Sequence, residues 1–239
     1  MDIGGRSLYL ECHGEGTPTV ILEAGLTGDH RTWERVVPAL SEDTRVCSYD
    51  RANIRPSDPA PKPRTTLDMV EDLDALLAAA SVEPPYVLVG FSFGGLVTQQ
   101  YAATNPDDVA GIVLVESNHP EEAQQFEEHL TPEQISLDRE EVQSNPEGVD
   151  VFASLEQVQA AGPMPEVPLV VVTAGRSEGW PPGWDPQIFD ALRAEQQEEL
   201  AGLVPGGRQV IAEESGHHVP AEQPAVIIEA VRSVIMAGG

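Results

Sequence analysis

The chain has 239 residues, with 40 Asp and Glu against 13 Lys and Arg, and a formal net charge of −27. Such a field repels phosphate backbones and anionic membrane surfaces, so nucleic acid and membrane are not expected as partners. A chain of this length can bury one large core, so residues 1–239 are read as a single domain.

In chain order, Ser7–Cys12, Thr19–Glu23 and Arg45–Tyr49 are short β-branched runs that predict strands. Cys12 and Cys47 fall inside two of them and read as buried thiols rather than a disulfide framework. The opening Met-Asp-Ile-Gly-Gly-Arg lacks the basic-then-apolar pattern of a secretion leader. No apolar run approaches the roughly 20 residues that span a bilayer, and a cytoplasmic location is expected.

Thr66–Ala80 predicts a helix with Leu67, Val70, Leu73, Leu77 and Ala80 on one face, closed by Pro84-Pro85. Strand signals return at Tyr86–Phe91, Gly111–Val115, Leu169–Thr173 and Arg208–Ala212, with helical runs at Leu96–Thr104 and Pro224–Ala237. Runs such as Val87-Leu88-Val89 and Ile112-Val113-Leu114-Val115 carry no polar alternation, as expected of strands buried on both faces. The pattern predicts an α/β fold: a doubly wound, mostly parallel sheet of about eight strands with helices on both faces. Residues 118–166 break the alternation, being acidic and poor in apolar residues. Thr131-Pro132-Glu133-Gln134 is a capping-box pattern with Pro at the first helical position, and the segment is read as a small helical lid.

The chemistry centres on Gly90-Phe91-Ser92-Phe93-Gly94, which follows one predicted strand and opens a predicted helix. In that context Gly-x-Ser-x-Gly forms a nucleophile elbow, a sharp turn that lifts the serine hydroxyl above the sheet edge. A hydroxyl needs a base to take its proton. Gly216-His217-His218 lies between the last strand signal and the last helix, with His217 the first candidate and His218 the second. Two glutamates end strands where an acid could orient the imidazole: Glu116 after Gly111–Val115, and Glu178 after Leu169–Thr173. Glu116 is favoured because it directly extends an apolar strand, where an unpaired charge is costly. The amides of Phe93 and of Leu26, in the turn Ala24-Gly25-Leu26, are the expected oxyanion donors. Phe91 and Phe93 flank the serine and suggest an apolar acyl or aromatic substrate, unless they serve only as core. No metal or organic cofactor is called for.

With these motifs in this order the chain resembles the α/β-hydrolase superfamily over residues 1–236, and within it the bacterial short-lid, esterase-like serine hydrolases. The matching segments are Val20–Gly25, Trp33 and Pro38, Tyr49-Asp50-Arg51 with Ser57-Asp58, the elbow, Gly111–Glu116, and Ser215-Gly216-His217 with Gln223-Pro224. The resemblance implies hydrolysis of an ester-type bond through an acyl-enzyme on Ser92. Most members carry an aspartate after the strand matching Leu169–Thr173, whereas haloalkane dehalogenases have a glutamate where Glu116 stands. Those dehalogenases use an aspartate nucleophile, so Ser92 excludes their chemistry. Phe91 replaces a common histidine, Asn53-Ile54-Arg55-Pro56 replaces a Gly-rich turn, and the lid is small. Two other readings share the motifs: a biosynthetic acyltransferase, cyclase or carrier-bound thioesterase, and a ligand-binding receptor with little turnover. A carrier-docking enzyme needs a basic patch, for which so acidic a chain has few residues.

Overall fold

A computed structural model describes residues 1–177 and 179–238. Strands β1 (Tyr9–His13), β2 (Thr19–Glu23), β3 (Val46–Asp50), β4 (Tyr86–Phe91), β5 (Val109–Val115), β6 (Leu169–Ala174) and β7 (Arg208–Ala212) form one sheet in the order β1-β3-β2-β4-β5-β6-β7. β1 pairs antiparallel with β3, and every other neighbouring pair is parallel. The described residues thus give seven strands rather than about eight, and those ahead of β1 form only an isolated bridge between Asp2 and Ser7. The described helices are α1 (Val37–Leu40), α2 (Thr66–Ala79), α3 (Phe93–Thr104), α4 (Glu122–Glu127), α5 (Pro132–Gln143), α6 (Val151–Ala160), α7 (Pro186–Ala201), α8 (Val219–Glu222) and α9 (Pro224–Gly238). None is long and apolar enough to cross a membrane.

The apolar strands divide their side chains by the two-residue period of an extended chain. Val20, Leu22, Val87, Val89, Val113 and Val115 face one layer, which contains Trp33, α1 and α9. Ile21, Leu88, Ile112 and Leu114 face the other, which contains α2, α3 and α6. Both faces are therefore dry, and this is why these strands read as unbroken apolar runs. Helix α2 starts at a capping box between Thr65 and Asp68 and buries Met69, Val70, Leu73, Leu76 and Leu77. Leu67, expected on that face, is 41% exposed.

The insertion between β5 and β6 has two characters. α5 begins at the expected capping box, with Thr131 and Gln134 bonded reciprocally, and buries no residue. α6 buries Val151, Ser154, Leu155 and Val158 and packs on α2 and α3. The second half of residues 118–166 is thus part of the core, although the segment as a whole reads as polar.

The cysteines are a correction. Cys12 and Cys47 are not free thiols but a disulfide, with an S–S distance of 2.04 Å. They stand directly opposite each other in the β1–β3 register, with Cα atoms 4.1 Å apart. Placing each cysteine in a strand left open which strands pair and in what register, and that pairing is what brings the thiols together. The bond sits uneasily with the cytoplasmic location expected from the N-terminus, because cytosolic reductants keep thiols reduced.

Candidate active site

β4 delivers Ser92 to the C-terminal edge of the sheet, and α3 begins at the next residue. Ser92 adopts φ +53° and ψ −123°, a conformation L-residues rarely hold unless the surroundings impose it. The surroundings here leave no room for side chains. A Cβ on Gly90 would overlap the Thr98 hydroxyl and the Gly94 backbone, and one on Gly94 would overlap the backbone oxygens of Glu23 and Ala24. The glycines of the elbow are therefore required by close backbone approach.

The structure brings His217 and Glu116 to this serine. His217 Nε2 lies 3.1 Å from Ser92 Oγ, and Nδ1 lies 3.3 Å from Glu116 Oε2. Glu116 is buried, and its other oxygen accepts the Ala174 amide at 2.8 Å. Burial alone raises its pKa, but the His217 hydrogen bond, the Arg193 charge and the Ala174 amide outweigh it and bring the pKa down to about 2. An ionised carboxylate only accepts, so in the neutral imidazole Nδ1 carries the hydrogen. Nε2 is then the acceptor facing the serine hydroxyl. His218 is placed differently: its ring centroid is 6.2 Å from that of Phe91, and it makes no hydrogen bond to Ser92 among the described residues. Glu178, the alternative acid, lies outside the described residues.

The two expected oxyanion donors border Ser92. Phe93 is the first residue of α3, so its amide has no acceptor within the helix. The turn carrying Leu26 abuts the serine, since a Cβ on Gly25 would come within 3.3 Å of Ser92 Cβ. Among the described residues the Leu26 amide donates to no backbone carbonyl outside regular elements. The flanking phenylalanines separate. Phe93 is 2% exposed and packs its ring into the core, 5.9 Å from the Arg51 guanidinium, so it can offer only its amide. Phe91 is also mostly buried, with its ring 5.0 Å from that of His217. It lines a cavity of about 340 Å³ together with Leu26, Thr27, His218 and Pro220. A second cavity, of about 430 Å³, opens on the Glu116 side of His217 among Arg176, Trp180, Asp190 and Arg193.

Arg193 carries no motif that marks it in the sequence. From α7 it donates to Glu116 Oε2 at 2.9 Å and lies 3.4 Å from Glu122 Oε2 of α4. Its only sequence signal is its place four residues after buried Phe189 and four before buried Gln197, on the inward stripe of an otherwise acidic helix. Among the described residues no cluster of His, Cys, Asp and Glu has the makings of a metal site.

The seven-stranded order and the strand-end placement of these side chains define an open α/β sheet with a hydrogen-bonded Ser–His–Glu set at its C-terminal edge. Residues 18–182 match the α/β hydrolase fold family, and the chain belongs to it. Among curated proteins, YqjL of Bacillus subtilis is 34% identical over 103 residues, which cover 43% of this chain and 41% of YqjL. The match spans less than half the length of the curated relatives compared. Among solved structures, an esterase from Thermogutta terrifontis superposes with a TM-score of 0.70 at 23% identity, covering 98% of this chain and 94% of that one. An enol-lactonase from Burkholderia xenovorans superposes with a TM-score of 0.69 at 21% identity, covering 97% of each chain. At such identities the structural likeness speaks for the fold alone.

Proposed function

We propose that the protein is a serine hydrolase that cleaves a carboxylic ester-type bond (ester, lactone or thioester) of a small molecule through an acyl-enzyme on Ser92. The observation that carries this reading is the continuous hydrogen-bonded path from Ser92 Oγ through His217 to buried, ionised Glu116, with two backbone amides beside the serine. His217 Nε2 takes the hydroxyl proton as Oγ attacks the carbonyl carbon. The carbonyl π electrons move to oxygen, where the amides of Leu26 and Phe93 stabilise the charge. Glu116 keeps the imidazole in the right tautomer and stabilises the imidazolium. Collapse expels the alcohol or thiol, which takes its proton from His217. Water, deprotonated by the same nitrogen, then releases the acid and restores the serine. The cavity beside Ser92 has an apolar side at Phe91, Leu26 and Pro220 that can receive an acyl or aromatic group of modest size, with Arg31, Glu34 and Arg35 also on its wall. The site as read needs no metal or organic cofactor. A fluorophosphonate probe tests the assignment: it should label Ser92, and Ser92→Ala should lose labelling and about 10⁶ in kcat while staying folded. Labelling at another residue would refute it.

A further inference from the structure

Behind the turn that presents Leu26 lies a buried ionic cluster with a geometry directed at that turn. Arg51, at the end of β3, is 3% exposed, and Glu147, from the loop between α5 and α6, is fully buried. All five N–H groups of the Arg51 guanidinium are engaged. Nε and Nη2 donate to the two oxygens of Glu147, at 2.6 and 3.0 Å. Nη1 donates to Glu23 and to the Ala24 carbonyl, the latter at 2.6 Å, and Nη2 donates to the Gly25 carbonyl at 2.7 Å. Glu147 Oε2 also accepts the Thr27 amide at 2.9 Å. Leu26 is thus bracketed: the two carbonyls before it are held by Arg51, and the amide after it by the carboxylate that holds Arg51. Thr27 sits at φ +62°, which such outside contacts can enforce.

The consequence for Leu26 follows from peptide geometry. In a planar trans peptide the C=O and N–H bonds point in opposite directions. Anchoring the Gly25 carbonyl on Arg51 therefore aims the Leu26 N–H away from the cluster. The elbow is fixed by the same device: the Ser92 carbonyl accepts the Gly95 amide at 2.9 Å and the Asn118 amide at 3.3 Å, which sets the direction of the Phe93 N–H. At Phe93 the helix and the strand end do the anchoring. At Leu26 the Gly25 carbonyl accepts from the Gly28 amide of its own turn at 3.0 Å and from buried Arg51, whose guanidinium is held in turn by Glu147, 96 residues from Arg51 in the chain.

We propose that Arg51 and Glu147 are positioning residues for the oxyanion site, fixing the Gly25–Leu26 peptide from the side opposite the reacting carbonyl. The insertion, through Glu147, thereby completes the hydrolytic centre without touching substrate. The inference rests on the reading of Ser92 as nucleophile and Leu26 as donor. A buried ion pair is weak evidence for stability, since apolar packing can serve as well. Forked contacts to two consecutive turn carbonyls, however, give this pair a geometric task that apolar packing cannot perform.

The test uses the full chain, with p-nitrophenyl butyrate as substrate and phenylboronic acid as a tetrahedral mimic. Active sites are counted by fluorophosphonate titration. Losing one oxyanion donor outright costs about 10²–10³ in kcat, so misaiming one should cost about 10- to 100-fold. Glu147→Gln puts donors against the guanidinium, and Arg51→Lys keeps the charge but removes the fork. Each should lower kcat per titrated site by about 10- to 100-fold, leave KM within about threefold, and weaken phenylboronate binding in parallel. A kcat within about twofold of the wild type, or a KM rise with kcat retained, overturns the proposal, whatever happens to Tm. If these variants do not fold, the milder Glu147→Asp decides: a loss of kcat per titrated site of about threefold or more supports it, and a smaller change overturns it. Ser92→Ala distinguishes the deeper failure, because turnover retained there refutes the acyl-enzyme reading itself.

Discussion

The sheet edge and the helical insertion both carry buried glutamates, and the two regions fix them by different means. Glu116 ends β5, and the β5–β6 pairing places it: its own amide bonds to the Val172 carbonyl at 2.8 Å and its carboxylate to the Ala174 amide. Glu147 sits in a loop between helices, where its side chain meets Arg51 and its backbone carbonyl accepts from Asn53 at 2.9 Å. A neighbouring backbone bridge, Arg64 with Val149, ties the same loop to the body. A carboxylate at a strand end inherits its position from the regular ladder, whereas one in an irregular loop must be tied down by specific long-range bonds. The comparison predicts that sheet-edge changes act on chemistry, that changes at the far edge act on stability, and that changes on the outer insertion do little.

The largest effect is expected at Glu116. Glu116→Gln should lower kcat by about 10⁴, because an amide facing Nδ1 can favour the wrong imidazole tautomer. The same substitution tests the carboxylate's linkage to pH. Its folded pKa is depressed from 4.5 to about 2, so its stabilising contribution is complete above about pH 4.5 and is lost as pH falls toward 2. Denaturant unfolding at pH 7 and at pH 2–3 should show the wild-type advantage over Glu116→Gln shrinking by about 2–3 kcal/mol. A gap independent of pH would mean that Glu116 is not ionised in the folded state.

The next effect belongs to the opposite edge of the sheet. The Cys12–Cys47 bond closes a loop with a sequence separation of 35. Replacing both cysteines with serine should lower unfolding stability by about 2–4 kcal/mol. Because Cys47 sits near the start of β3, at the end of the strand opposite Arg51, and Ser92 and Glu116 follow β4 and β5, kcat of the folded protein should stay within about twofold. Unfolding with and without reductant provides an independent check on the wild type.

The smallest effect is expected on the outer insertion. Thr131 caps α5, a helix with no buried residue. Thr131→Ala should cost about 1 kcal/mol at most, confined to that helix, and leave kcat and Tm close to the wild type. Global destabilisation would show that α5 is coupled to the core as α6 is.

The strands, the main helices and the strand–turn–helix around Ser92 are legible in the sequence, and so are His217 and Glu116 as candidates that the fold brings within hydrogen-bond reach, because each rests on signals only a few residues long. Apolar runs, period-3.6 faces, capping patterns and a Gly-x-Ser-x-Gly turn are local consequences of backbone sterics and burial. The errors came where the outcome depends on what lies across the fold. Leu67 carries the right residue type for a buried face, yet the covered stripe is Met69, Val70, Leu73, Leu76 and Leu77, and Leu67 lies outside it. The polar composition of residues 118–166 hid the docking of α6 on α2 and α3. Cys12 and Cys47 were placed in strands, but only the β1–β3 register makes them opposite. Arg193 reaches Glu116 from 77 residues away, and Glu147 reaches Arg51 from 96. Local patterns determined which elements form and which side chains could react. Strand order, register and helix packing decided which distant charges and thiols meet, because such contacts exist only once the chain has closed on itself.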